Sequence, residues 1–126
     1  MSTRFHHIAL CYTSKEDSTL FFTKVLGLDY VRSFHLSKDI SLQIFGKESE
    51  VDVDVFENDA LRFEVFYCDK IVNFSFSHVC VEVENQKDFL KKCKQYGISW
   101  FFVKKQQKEL LFVRDHYNNL YEIKTR

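Results

Sequence analysis

The sequence repeats itself once, and a duplication of this length calls for a fold built from two similar halves. One half opens with Phe5-His6-His7-Ile8-Ala9-Leu10 and closes with Leu61-Arg62-Phe63-Glu64-Val65-Phe66. The other opens with Phe76-Ser77-His78-Val79-Cys80-Val81 and closes with Asn119-Leu120-Tyr121-Glu122-Ile123-Lys124. Each half therefore starts a strand on a histidine and ends a strand on a glutamate.

The pattern between these landmarks predicts the same order of elements in both halves. Phe5 to Tyr12 alternates as a strand, with Ile8 and Leu10 on one face and His7, Ala9 and Cys11 on the other. Thr13-Ser14-Lys15-Glu16 reads as a capping box with Thr13 as N-cap, and the helix it starts carries Leu20, Phe21 and Val25 before stopping at Gly27. Strands are expected over Leu28 to Phe34, Ile40 to Phe45 and Leu61 to Tyr67, so the first module reads β-α-β-β-β. In the second module Val79, Val81 and Val83 share one face of the first strand, leaving His78, Cys80 and Glu82 on the other. Asn85 caps a helix bearing Phe89, Leu90 and Cys93 that ends at Tyr96-Gly97. Strands over Ser99 to Val103, Glu109 to Arg114 and Leu120 to Lys124 follow, with Asn118-Asn119 in the last turn.

Gly46 to Ala60 is the least regular stretch. It holds Glu48, Glu50, Asp52, Asp54, Glu57 and Asp59 against one lysine, Lys47. Its Val51 to Val55 core has the alternation of an edge strand. The stretch reads either as an acidic flap over a pocket or as a solvated loop whose charges guard an edge, and the second is favoured.

Alternation puts Leu61, Phe63 and Val65 on one side of their strand and Arg62, Glu64 and Phe66 on the other; Glu122 likewise opposes Tyr121 and Ile123. His7, Glu64, His78 and Glu122 can then share one sheet face if the modules pair edge to edge. Imidazole nitrogens and carboxylate oxygens would offer a mixed site for zinc, nickel, cobalt, iron or manganese. Taken singly, each histidine is also explained as a satisfied strand residue, and each glutamate as a solvent-facing side chain paired with Arg62 or Lys124. His6 falls on the face of Ile8 and Leu10, while His35 and His116 have no counterpart in the repeat. Gln43, on the open face of the expected third strand, is a candidate oxygen ligand or substrate contact. Cys11 and Glu82 stand four residues beyond the two histidines. With Arg62 and Cys68 they complete the candidate pocket.

Composition narrows the function classes. The 126 residues suit one domain of two small modules, about 4–68 and 75–125. Eighteen basic and eighteen acidic residues balance to zero, which gives no electrostatic case for nucleic acid or an anionic membrane. No apolar run approaches a membrane span, and no signal-peptide core is present. The four cysteines lack C-x-x-C spacing, so a disulfide scaffold and a cysteine zinc site are both poorly supported, and a reduced cytoplasmic protein is expected.

His7-Ile8-Ala9-Leu10 together with Phe21-Phe22-Thr23-Lys24-Val25-Leu26-Gly27-Leu28 resembles the opening of the vicinal oxygen chelate superfamily, which includes glyoxalases and bleomycin-resistance proteins. Asp115-His116-Tyr117-Asn118-Asn119-Leu120-Tyr121-Glu122-Ile123 is similar to its closing motif, commonly Asp-Pro-Asp-Gly-Asn followed by apolar residues and Glu. His116, Tyr117 and Asn118 depart from that pattern, while the final Glu is kept. The likeness runs from about Phe5 to Lys124.

The resemblance implies an α+β fold in which two tandem β-α-β-β-β modules form a half-open, mostly antiparallel barrel around a divalent metal, zinc or nickel. A glyoxalase I-like ligand set would be His7, Glu64, His78 and Glu122. It further implies a small-molecule substrate, a homodimer, and lactoylglutathione lyase-like chemistry. In that chemistry an α-hydroxy-carbonyl or hemithioacetal isomerises through an enediolate, with Glu122 as base and Glu64 as second choice. Cys11 stands where bacterial glyoxalase I usually has a glutathione-binding Arg, and Cys68 where it has Asn, so the thiol substrate is left open. A methylmalonyl-CoA epimerase-like enzyme and a metal-free, drug-sequestering protein of the bleomycin-resistance type are the competing expectations. The extra Glu64 argues against ring-cleaving dioxygenases and fosfomycin thiol transferases, which usually rely on two His and one Glu.

Overall fold

The computed structural model describes residues 5–69 and 77–126. The chain divides into two compact units, residues 1–71 and 72–126. Phe76, expected to open the second module, lies outside the described residues, as do positions 4 and 75 at the expected module limits.

The first unit contains β1 (Ile8–Tyr12), α1 (Lys15–Ser18) running into a π-helical segment (Thr19–Val25), β2 (Asp29–Leu36), α2 (Lys38–Phe45), β3 (Val51–Glu57) and β4 (Arg62–Tyr67). Its four strands lie in the order β1-β4-β3-β2, with β1 parallel to β4 and the other pairs antiparallel. The second unit contains β5 (Val79–Val83), α3 (Gln86–Gln95), β6 (Ser99–Lys105), β7 (Lys108–Arg114) and β8 (Leu120–Thr125). Its order, β5-β8-β7-β6, again with the first pair parallel, is the same topology. A parallel first pair requires a crossover rather than a hairpin, and in each unit the intervening helix and strands provide it. Among the described residues no helix is long and apolar enough to cross a membrane.

Each unit has its own apolar layer. In the first, Phe22 is fully buried, with ring centroids 5.0 Å from Phe63, 5.3 Å from Phe56 and 5.5 Å from Tyr12. Burying a side chain of this size contributes ~1.5–3 kcal/mol. Phe22 gets there because the helix widens: Leu26 N–H bonds Phe21 O, five residues back, and Phe21, Phe22 and Val25 all turn inward. In the second unit Phe89 and Cys93 of α3 are buried, as are Val81, Val113, Tyr121 and Ile123 on the sheet. Gly27 and Gly97 end the two helices at φ 75° and 72°, as their positions predict.

Three local expectations are overturned. Ile40 to Phe45 is helical, not a third strand. The Ser37 side chain accepts from Ile40 N–H, Gly46 adopts φ 69° after the last turn, and Gln43 donates to Asp39 one turn away at 2.8 Å. These contacts satisfy a helix, and the alternation of Ile40, Leu42 and Ile44 leaves them partly exposed. The third strand is instead Val51–Glu57, within the stretch read as irregular, and it lies inside the sheet between β2 and β4 rather than at an edge. Finally, Ser14 caps α1 in place of Thr13, accepting from Asp17 N–H at 3.3 Å.

Candidate functional site

The parallel pair in each unit sets a histidine beside a glutamate. In the β1–β4 register Ala9 faces Glu64, and His7 lies two residues before Ala9, just ahead of the strand. His7 Nε2 lies 3.4 Å from Glu64 Oε1. In the β5–β8 register Cys80 faces Glu122, and His78 Nε2 lies 4.0 Å from Glu122 Oε1. Both glutamates are largely shielded, with 13% and 18% of their side chains exposed, whereas the histidines remain at 35% and 45%. The duplication seen in the sequence is thus carried into the structure as a repeated His–Glu pair on neighbouring parallel strands.

The first pair has a backing that the sequence did not reveal. Arg62 is held by Glu57 Oε1 at 2.9 Å and donates from Nη1 to His6 Nε2 at 3.1 Å. An arginine can only donate, so His6 carries its proton on Nδ1, which is 2.8 Å from His7 Nδ1. His7 then accepts at Nδ1 and carries its own proton on Nε2, directed at Glu64. In the second pair Lys124 Nζ sits 3.5 Å from Glu122 Oε2 and supplies the nearby cation.

Each pair is spaced as two ligands of one divalent ion would be. Ligand bonds of ~2.0–2.2 Å from nitrogen and carboxylate oxygen place two ligands of one ion roughly 3–3.5 Å apart. The His7–Glu64 spacing of 3.4 Å meets that range, and the His78–Glu122 spacing of 4.0 Å needs a small side-chain adjustment. To ligate through Nε2, His7 would carry its single ring proton on Nδ1 instead, and the Nδ1 contact with His6 would have to reverse its direction. Within each unit the two donors stand as a pair, and among the described residues no third His, Cys, Asp or Glu joins them as a cluster.

The pocket candidates divide. Cys11 pairs with Phe66 in the register and so shares the Glu64 face, and Cys68 Sγ lies 2.9 Å from Cys11 Sγ. Burial first, and the bond to Cys11 second, push the Cys68 thiol up to about 12. Arg62 is on the same face but is engaged by Glu57 and His6. Glu82 is exposed beside Lys124 on the face of Cys80 and Glu122, and burial, then the Glu122 charge, raises the Cys80 thiol. Gln43 does not belong with them, because it sits on exposed α2 bonded to Asp39 rather than on a sheet strand.

The acidic stretch is neither a flap nor a bare guard. Asp54 is buried and accepts from Ser33 Oγ and from Tyr67 OH, the latter at 2.6 Å. Tyr67 in turn meets Ser18 Oγ at 2.5 Å, and burial followed by the bond to Asp54 raises its phenol above the usual range. Asp52 and Glu50 take the two ring nitrogens of His35 at 2.8 and 3.1 Å. The closing motif behaves similarly: buried Asp115 accepts from the Tyr117 and Asn119 backbone amides, the Asn119 side chain and Tyr121 OH, which fixes the turn leading to Glu122.

Neither a protein-family model nor a curated protein matches this chain. Solved structures do. The fosfomycin resistance protein FosX from Listeria monocytogenes, in a variant complexed with Mn(II) and 1S,2S-dihydroxypropylphosphonic acid, is 14% identical with a TM-score of 0.76, covering 100% of this chain and 94% of that one. FosX from Mesorhizobium loti is 13% identical, with a TM-score of 0.72 over 100% and 94%. A glyoxalase family protein from Enterococcus faecalis is 15% identical, with a TM-score of 0.72 over 95% of each chain. These neighbours belong to the vicinal oxygen chelate superfamily, and this chain has their α+β fold of two tandem modules, as the resemblance implied.

Proposed function

We propose that this protein is a metal-dependent lyase or isomerase of the glyoxalase I type, acting on an α-hydroxy-carbonyl or hemithioacetal substrate. The observation that carries the reading is the His–Glu pair repeated at equivalent places on β1–β4 and β5–β8. His7, Glu64, His78 and Glu122 are the residues assigned to hold a divalent ion, zinc or nickel. The ion would supply Lewis acidity that makes the C–H next to a carbonyl removable. The chain supplies the proton transfer. Glu122 takes the proton from one carbon and returns it to its neighbour, and Lys124 steadies the carboxylate between transfers. Phe112, opposite Glu122 in the register, and Val55, opposite Glu64, set apolar side chains beside the two carboxylates. Glu64 is the second choice as base, because it already faces the His7 proton. The reading carries with it a homodimer and a cytoplasmic setting.

A second reading follows from the FosX neighbours, one of which holds Mn(II) and a diol phosphonate. Arg32 pairs with Val55, which pairs with Glu64, so a guanidinium shares the Glu64 face and suits an anionic substrate group. Opening of a small phosphonate epoxide at the same ligands is the activity this would support.

The test is protein purified without chelator, reloaded with zinc, nickel or manganese, and assayed on methylglyoxal with glutathione, on small α-hydroxy carbonyls and on fosfomycin. Isomerisation or proton exchange that falls at least ~100-fold in Glu122→Gln, with metal content retained, is the expected result. Turnover of fosfomycin alone selects the second reading. Protein that takes up no ion, in wild type as in His78→Ala, sinks both and leaves a metal-free binding protein.

A further inference from the structure

Cys11 and Cys68 are 57 residues apart in sequence, yet Cys68 donates its S–H to Cys11 Sγ at 2.9 Å. That is about 0.9 Å beyond a covalent S–S bond of ~2.05 Å. The contact does not rest on side-chain reach alone: Cys68 N–H bonds Tyr12 O at 2.8 Å, tying the residue after β4 to the end of β1. Both thiols are partly exposed, which leaves them accessible to a small oxidant. The other two cysteines sit elsewhere, Cys80 exposed on β5 and Cys93 buried on α3.

We propose that Cys11 and Cys68 form a reversible dithiol–disulfide site that a small hydroperoxide oxidises. The direction of the hydrogen bond assigns the roles. Cys68 holds its proton as the donor, so Cys11 supplies the attacking thiolate. Cys11 Sγ attacks one oxygen of hydrogen peroxide, the O–O bond breaks, and hydroxide leaves, giving a sulfenic acid on Cys11. Cys68 sulfur then displaces that oxygen as its proton and the hydroxyl leave as water, and the S–S bond forms. Across both steps the two sulfurs lose two electrons and the peroxide gains them. A dithiol reductant reverses the change by exchange. The bond would join β1 to the end of β4 on the face that carries Glu64. The site requires no metal and stands apart from the function proposed above.

The experiment treats the intact, reduced protein with a few equivalents of hydrogen peroxide, denatures it and counts thiols. The expected result is a fall from the four thiols of the sequence to two, with a Cys11–Cys68 linked peptide in the digest and recovery of all four after dithiothreitol. Cys80→Ser keeps the link. Cys68→Ser loses it and accumulates a dimedone-reactive sulfenic acid at Cys11. The proposal is overturned if all four thiols survive, if the link joins two molecules or includes Cys80, or if Cys11 passes to sulfinic acid without a link. The wild-type count decides the matter even if a variant fails to fold.

Discussion

Single residues explain where the sequence spoke clearly and where it misled. His7 and His78 were legible because they recur, and recurrence does not depend on knowing where a strand begins. His6 was assigned to the wrong company for the opposite reason. Alternation from Phe5 sends it to the face of Ile8, but β1 starts only at Ile8, so the rule does not govern the residues before it. His6 instead bridges Arg62 and His7. His35 gives the residue-scale prediction. Its bonds to Asp52 and then Glu50 raise its affinity for a proton above the ordinary value near 6.5, and the same contact lowers Asp52 below 3.8. The folded chain therefore binds the His35 proton more tightly than the unfolded chain. That contribution is complete below the ordinary histidine value and is lost as pH rises through the raised one. The Asp52 contribution is present above its ordinary value and lost as pH falls through the lowered one. Urea midpoints of wild type and His35→Gln should differ most near pH 5–6, and the difference should shrink as pH rises above the ordinary histidine value. An unchanged difference across that range would show that the clasp does not form in solution.

At the scale of elements, the two exchanged assignments share one cause. Both Ile40-Ser41-Leu42-Gln43-Ile44 and Val51-Asp52-Val53-Asp54-Val55 alternate apolar and polar residues, so periodicity alone cannot rank them. What separates them is the satisfaction of polar groups. The first segment has a cap at Ser37, a left-handed exit at Gly46 and a side-chain bond spanning one turn. The second finds partners only across strands, with Asp52 meeting His35 and Asp54 meeting Ser33 and Tyr67. The cap and the glycine were visible in the sequence; the partners of the aspartates were not, because they come from distant positions. Ser37→Ala should cost ~1 kcal/mol. Gly46→Ala should cost ~1–2 kcal/mol, because a Cβ meets nothing there and the penalty is that of φ 69° itself. Both losses should appear as weakened amide protection over residues 38–45 in hydrogen exchange, with β3 and β4 unaffected. If the protection of β3 falls equally, α2 is not a separable unit.

For the whole molecule, the duplicated topology was readable from the repeat, and the fold it implied is found in both units. If both His–Glu pairs hold one ion, removing either should have the same effect as removing both. Zinc or nickel at 100 times its dissociation constant stabilises by ~2.7 kcal/mol, raising the melting temperature by roughly 5–12 °C in a chain of this size. His7→Ala and His78→Ala should each abolish the rise, and the double variant should do no more. Half the rise remaining in each single variant would assign a separate ion to each unit. The closing turn has a wider meaning. Asn119 and Tyr121 bond the Asp115 carboxylate, while the exposed His116 reaches Gly97 O at 3.2 Å and Arg114 donates to Asn118 O at 2.9 Å. The bend therefore hangs on one carboxylate, and any spelling that keeps that carboxylate's partners can keep the bend.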